Sequence, residues 1–368
     1  MKKNILIYFP YNHRTVEQQS VMEMLVNKGH SVFLLTLTPE NDLHKIVRQF
    51  GVKASSSPVK KTSGVRNIFL NAKYLVAFCK TNNIEIIIAH QQLAALPLIF
   101  ARPFIKSKSF YLRHNADEDY KAFPIKAWIM NRFINKMLPF IIVPSDVVNH
   151  FMIEHEKVSS KKIIRINYGY NFLQYEKPEP QKVKEIKDAY SCKLLIISIA
   201  RLVPAKRHQL MFEVVKKLIN AGLDVKMICL GDGYLRNELQ QWVNTNKLSN
   251  KIILKGNQGN VFDYFAAGDL LFHLSESEAS NSVVKEAALV NKPVMVCERV
   301  GDFSNYIING KNGFLLNKEA PSNEAVQLLK KFYYNNEILL HTGYELHKTV
   351  LREFDIKNVS LLYDEIIN

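Results

Sequence analysis

The sequence predicts an α/β protein made of two domains with parallel sheets. Short apolar runs of strand length alternate with helical stretches along most of the chain. The alternation is interrupted at Glu176-Lys177-Pro178-Glu179-Pro180, a polar, Pro-rich stretch that reads as a linker. The 368 residues, 47% of them hydrophobic, suffice for two cores of ordinary size. The expected domains are residues 1–175 and 176–350, with a last helix in 351–368.

In the first half, residues 5–9 form a buried strand, 18–27 a helix stopped by Gly29, and 30–37 a second strand. Residues 53–63 read as a basic, Ser-rich loop. A helix over 66–80 leads to a very apolar strand at 84–89, ending at His90. The apolar stretch 93–105 is broken by Pro97, Arg102 and Pro103 and is too short for a membrane span. A short strand at 110–113 ends at His114. A helix over 124–136, a strand at 140–143, a helix capped by Ser145 and a strand at 163–166 complete this half. The second half repeats the pattern, with strands at 193–200, 224–230, 252–255 and 270–274 and a last core strand at 294–297. Its helices cover 207–220, 235–246 and 261–267, and the tail from Ser322 is mostly helical.

Residues 270–293, LLFHLSESEASNSVVKEAALVNKP, carry the most chemistry. A strand runs into a polar loop holding Ser275, Glu276, Ser277 and Glu278. Ser280, Asn281 and Ser282 offer N-cap side chains to a helix that bears Glu286. In parallel α/β sheets, ligands bind outside the carboxyl ends of the strands. A helix start there presents N–H groups and positive dipole to a phosphate, while two carboxylates accept hydrogen bonds from sugar hydroxyls. This combination points to a nucleotide sugar. Arg201 and Lys206 share the loop after an earlier strand, as a diphosphate requires. Gly231-Asp232-Gly233 lacks the third glycine and the later acid of a dinucleotide site.

Glu278, seven residues, then Glu286-Ala287 and Asn291-Lys292-Pro293-Val294 resemble the donor loop of family-four retaining glycosyltransferases. Arg201 and Lys206, followed one strand later by Gly231-Asp232-Gly233, Arg236 and Glu238-Leu239, extend the resemblance. Further matches are Lys28-Gly29-His30-Ser31-Val32 and Ile142-Val143-Pro144-Ser145 through Asn171. The resemblance implies a GT-B architecture, two Rossmann-like domains facing a central cleft. It also implies transfer of a hexosyl or N-acetylhexosaminyl group from a nucleotide-sugar donor to an acceptor hydroxyl, with retention of configuration. Arg201 and Lys206 would hold the diphosphate, Glu286 the ribose, and Glu278 the donor sugar. Gly231 and the amides at Ser280, Asn281 and Ser282 would complete the donor site, and His114 would lie near the sugar. No cofactor and no metal are expected, and Asp117-Glu118-Asp119 reads as a solvated loop or an acceptor contact. Departures are Tyr11-Asn12-His13-Arg14-Thr15 for a Gly-Gly turn, Ala279 for glycine, Asp302 for a second glycine and Asn305 for glutamate.

The net charge of +15 is uneven. Residues 1–175 hold 24 Lys/Arg against 11 Asp/Glu, the remainder 25 against 23. A basic first domain fits an anionic partner, either a glycan or lipid-linked acceptor or the inner face of a membrane. No nucleic-acid motif is present. Residues 124–140 form a basic amphipathic stretch. It reads either as a membrane-surface helix or as a core-packed helix with solvated cations. The scattered Cys79, Cys192, Cys229 and Cys297 read as reduced thiols, and no secretory leader is recognised, so the expected location is cytoplasmic. The expected role is bacterial surface polysaccharide or lipopolysaccharide biosynthesis. A sugar-nucleotide epimerase and a non-catalytic nucleotide- or glycan-binding protein remain open alternatives.

Overall fold

The computed structural model describes residues 2–12, 15–59, 64–114, 117–278 and 280–368. His13, Arg14, Asn115, Ala279 and residues 60–63 of the basic loop lie outside the described residues. The chain forms two compact units, residues 1–173 with 354–368, and residues 174–353.

The first unit has a seven-stranded parallel sheet. Its strands are β1 (Asn4–Phe9), β2 (Ser31–Thr36), β3 (Lys53–Ser56), β4 (Ile86–His90), β5 (Lys108–Leu112), β6 (Phe140–Val143) and β7 (Ile163–Arg165), in the order β3-β2-β1-β4-β5-β6-β7. The central strands are continuous Ile/Leu/Val runs because helices cover both faces of the sheet. One apolar core includes Ile5, Ile7, Val32 and Ile88, and the other includes Leu6, Leu35, Ile87 and Ala89. The helix Ile356–Ile367 belongs to this unit. Asp355 caps it, and Val359, Tyr363 and Ile366 enter the first core.

The second unit has a six-stranded parallel sheet of β8 (Leu194–Ile199), β9 (Val225–Leu230), β10 (Ile252–Gly256), β11 (Leu270–His273), β12 (Val294–Cys297) and β13 (Phe314–Leu316). Their order is β10-β9-β8-β11-β12-β13. The direction of strand succession reverses between β8 and β11, as it does between β1 and β4 in the first unit. Such switch points open a crevice at the carboxyl ends of the strands.

Three expectations need correction. Residues 53–56 are the edge strand β3, paired with Phe33–Thr36, not loop. The run Lys-Ala-Ser-Ser lacks the apolar signal of a central strand, and an edge position demands less of it. Residues 91–101 are a helix despite Pro97, with most of its apolar side chains buried. The strand at 294–297 is not the last, because β13 pairs beyond it. The helix Asp42–Gln49, capped by Asn41, was not anticipated.

Candidate functional site

The loops after β8 and β11 meet at the second switch point. The amide of Glu276 donates to the Ala205 carbonyl at 2.9 Å. Arg207 Nε bonds Glu276 Oε1 at 2.7 Å, and its Nη1 donates to the Lys318 carbonyl at 2.7 Å. These links hold Lys206 against Glu278, with which it forms a half-buried ion pair. Glu278 Oε1 also bonds His273 Nε2 at 2.8 Å, at the end of β11. Burial alone raises the Glu278 carboxyl, but the His273 hydrogen bond and the charges of His273 and Lys206 outweigh it and bring the pKa to about 2.

Arg201 is exposed, and its guanidinium has no ion pair or hydrogen bond among the described residues. The Gly-Asp-Gly turn holds its loop from behind. A Cβ on Gly231, at φ +116, would lie 2.2 Å from the Ala200 carbonyl oxygen, and one on Gly233 would lie 2.4 Å from that of Leu202. Leu202 N donates to Asp232 O at 2.9 Å. The glycines thus allow two backbones to touch, and Gly231 acts through the Arg201 loop.

The helix Ser282–Leu289 starts beside these loops. Asn281 is its N-cap and accepts from Val284 N at 3.1 Å. The Ser280 hydroxyl is engaged by neighbouring side chains. It bonds Asp302 Oδ2 at 2.5 Å and accepts from Lys285 Nζ at 3.0 Å. Lys285 and Asp302 form a fully buried pair at 2.5 Å. Sequence reasoning missed Lys285, because a lysine on an apolar helix looks like a surface cation. It also missed His273 and His208. Both ring nitrogens of His208 are buried without a partner among the described residues, and burial with the charges of His273 and Lys206 lowers its pKa to about 4.

Glu286 lies in the second turn, half-buried, and burial pushes its carboxyl up to about 7 against a weaker opposing hydrogen bond from Ser282. A raised folded-state value means that the stability tied to this group is complete below its ordinary value of 4.5 and is lost as pH rises through about 7. Thermal melting of Glu286→Gln should therefore match the parent near about pH 4 and exceed it at about pH 8. A constant difference across that window would count against a buried neutral carboxyl.

His114 belongs to the first unit. Its Nδ1 meets Tyr168 Oη at 2.5 Å and its Nε2 meets His90 Nδ1 at 3.2 Å. Burial and the neighbouring His114 hold His90 well below the ordinary histidine range. His90, read from sequence as a local structural residue, is thus coupled to His114. Together with Glu17, Gln18 and Tyr168 they line a cavity of about 20 Å³, about the room for one water. In the stretch 117–119, Asp117 pairs with Lys121 at 3.0 Å and Asp119 accepts from Gln92.

Residues 180–346 match the family model described as Glycosyl transferases group 1. The match lies within the second unit. The match spans just under half of the chain. The N-acetyl-alpha-D-glucosaminyl L-malate synthase of Bacillus anthracis is 27% identical over 244 residues, 63% of this chain and 62% of that protein. The phosphatidylinositol N-acetylglucosaminyltransferase GPI3 subunit of Saccharomyces cerevisiae is 27% identical over 189 residues, 48% of this chain and 41% of that protein. The chain thus spans less than two thirds of the length of these curated relatives. Among solved structures, Anabaena Alr3699/HepE in complex with UDP is similar at a TM-score of 0.85 and 17% identity, covering 100% of this chain and 99% of that one. The fold of the chain is GT-B.

Proposed function

We propose that the chain transfers a hexosyl or N-acetylhexosaminyl group from a nucleotide sugar to an acceptor hydroxyl, with retention at the anomeric carbon and without a metal. The observation that carries this reading is the pair of loops tied together at the second switch point. They offer an unpaired Arg201, Lys206 and a helix start on one side and Glu278 and Glu286 on the other. Cations and helix dipole stabilise the leaving diphosphate, and carboxylates take sugar hydroxyls. In this reading Lys206 leaves Glu278 for the diphosphate, and Glu278 turns to the sugar. Both curated relatives are named for N-acetylglucosaminyl and for an acidic compound, malate or phosphatidylinositol. An N-acetylhexosaminyl donor and an anionic glycan or lipid-linked acceptor, bound by the basic first unit, fit that pattern. The role is in bacterial surface polysaccharide or lipopolysaccharide biosynthesis, in the cytoplasm at the inner face of the membrane.

Saturation-transfer NMR with UDP-, GDP- and dTDP-sugars in the presence of EDTA tests the donor half. The expected result is saturation of one donor, with UDP-N-acetylglucosamine the first candidate. Silence from every donor sinks the reading. Conversion of the bound donor to an epimer with no acceptor present replaces transfer with epimerisation.

A further inference from the structure

The helix Pro124–Met137 is turned inside out. Its buried positions are Ala127, Asn131, Ile134 and Asn135, two of them amides. Its outward positions Ile125, Trp128, Ile129, Arg132, Phe133 and Lys136 repeat at the spacing of a single helical stripe. Ile125 is 76% exposed and Ile129 is 58% exposed, values that a core-packed helix does not show. A buried ionic network explains the inversion. Arg113 pairs with Glu156 at 3.1 Å in the interior, and Asn135 Nδ2 donates to Glu156 Oε2 at 2.6 Å. Gln92 Nε2 reaches Asn131 Oδ1 at 3.4 Å. The amides are held inside by this network, so the apolar side chains face water.

The apolar surface continues onto neighbouring elements of the same unit. Phe133 leads through Phe100, at a ring-centroid distance of 6.3 Å, to Phe69, 4.6 Å further on, in the helix Val65–Thr81. Phe69 and Phe133 are exposed, as is Phe123 at the start of the helix. Such a contiguous apolar patch marks an interaction surface. Its cations choose the partner. Lys126 lies over the Phe123 ring at 5.8 Å and Arg132 over the Trp128 ring at 5.6 Å, and neither forms an ion pair among the described residues. Arg132 and Lys136 also line an open cleft with Lys157 and Lys162. Aromatic and aliphatic side chains interleaved with cations, on one helix face, match the boundary between anionic headgroups and acyl chains.

We propose that this face docks the first unit on an anionic phospholipid surface, with Ile125, Trp128, Ile129 and Phe133 entering the acyl boundary and Arg132 and Lys136 meeting the headgroups. The inference rests on the proposed position at the inner face of the membrane and supplies its contact surface, but it does not depend on the sugar-transfer chemistry.

Trp128 supplies the test, because Trp242 is the other tryptophan and packs against Phe212 in the second unit. A Trp242→Phe variant is titrated with vesicles of phosphatidylcholine alone and of phosphatidylcholine with phosphatidylglycerol in equal parts. The expected result is a blue shift of Trp128 emission and co-sedimentation with the anionic vesicles. Binding should weaken about fivefold for each of Arg132→Gln and Lys136→Gln, the usual attraction of one cation to such a surface. Ile125→Glu with Ile129→Glu should abolish it while circular dichroism and melting stay unchanged, since both side chains are exposed. No anionic-vesicle binding, or binding indifferent to these variants, overturns the proposal. A blue shift that rises with protein concentration without lipid also overturns it, since that outcome assigns the face to a second copy of the chain. Donor binding by NMR is measured on the same variants and should not change, which separates this inference from the catalytic one.

Discussion

Lys285→Met is expected to destabilise the second unit by about 3–5 kcal/mol, the usual cost of leaving one member of a buried ion pair alone. Lys285 and Asp302 are each 1% exposed, so water cannot replace the lost ammonium. Asp302 would keep the Ser280 hydroxyl at 2.5 Å, but its Oδ1 already has no partner among the described residues. Adding Asp302→Asn removes the stranded charge and should recover at least half of the loss, because neutralising both partners is far cheaper than removing one. Urea unfolding of the four proteins in this double-mutant cycle gives the coupling directly. A coupling under about 0.5 kcal/mol would show that the pair holds nothing together. The result also bears on the family resemblance. Asp302 stands where a second glycine is expected, and Lys285 supplies the charge that makes an aspartate tolerable there. Ser280 is bound to both, so the pair also sets the shape of the loop before the Ser282–Leu289 helix.

At the donor site proposed above, Arg201→Ala should leave stability unchanged and weaken UDP binding by roughly 30–150-fold, the loss of about 2–3 kcal/mol for hydrogen bonds to a charged group. The side chain is exposed and has no ion pair or hydrogen bond among the described residues, so little folding energy depends on it. The loop backbone is held separately, by the close approach of Gly231 and Gly233 to Ala200 and Leu202. Arg201→Lys should recover the charge but not the planar fork, and its affinity should fall between the two. Calorimetry with UDP in EDTA measures all three. Parent-like affinity in the alanine variant would remove Arg201 from the donor site. Lys206 is a less clean probe, since its removal also takes from Glu278 its ion-pair partner and leaves His273 as its remaining hydrogen-bond partner.

Much of this molecule was legible from short windows of sequence. The apolar runs at β1, β4, β8 and β11 are buried on both faces and need no distant information to be recognised. Ser145 and Asn281 cap the helices that follow them through bonds spanning three residues. The glycines at 231 and 233 stood out by spacing, although their purpose, two backbones in contact, is a property of the packed loops. Elements with weak local signals were lost, notably the edge strand β3 and the helix Asp42–Gln49.

The sequence by itself determined the class of fold, the order of most strands and helices, and the loops at which chemistry gathers. These rest on periodicity, caps and turn residues, which act over a few neighbouring positions. Tertiary structure alone decided which charges meet. Lys206 faces Glu278 across 72 positions, and Lys285 faces Asp302 across 17. It also decided that His90 touches His114, and that the Pro124–Met137 helix shows its apolar side to water. The last case gives the physical reason. A helical stripe of apolar residues has two sides, and the interior went to the side whose amides serve the buried Arg113–Glu156 pair. Burying that pair without partners would cost more than exposing the isoleucines.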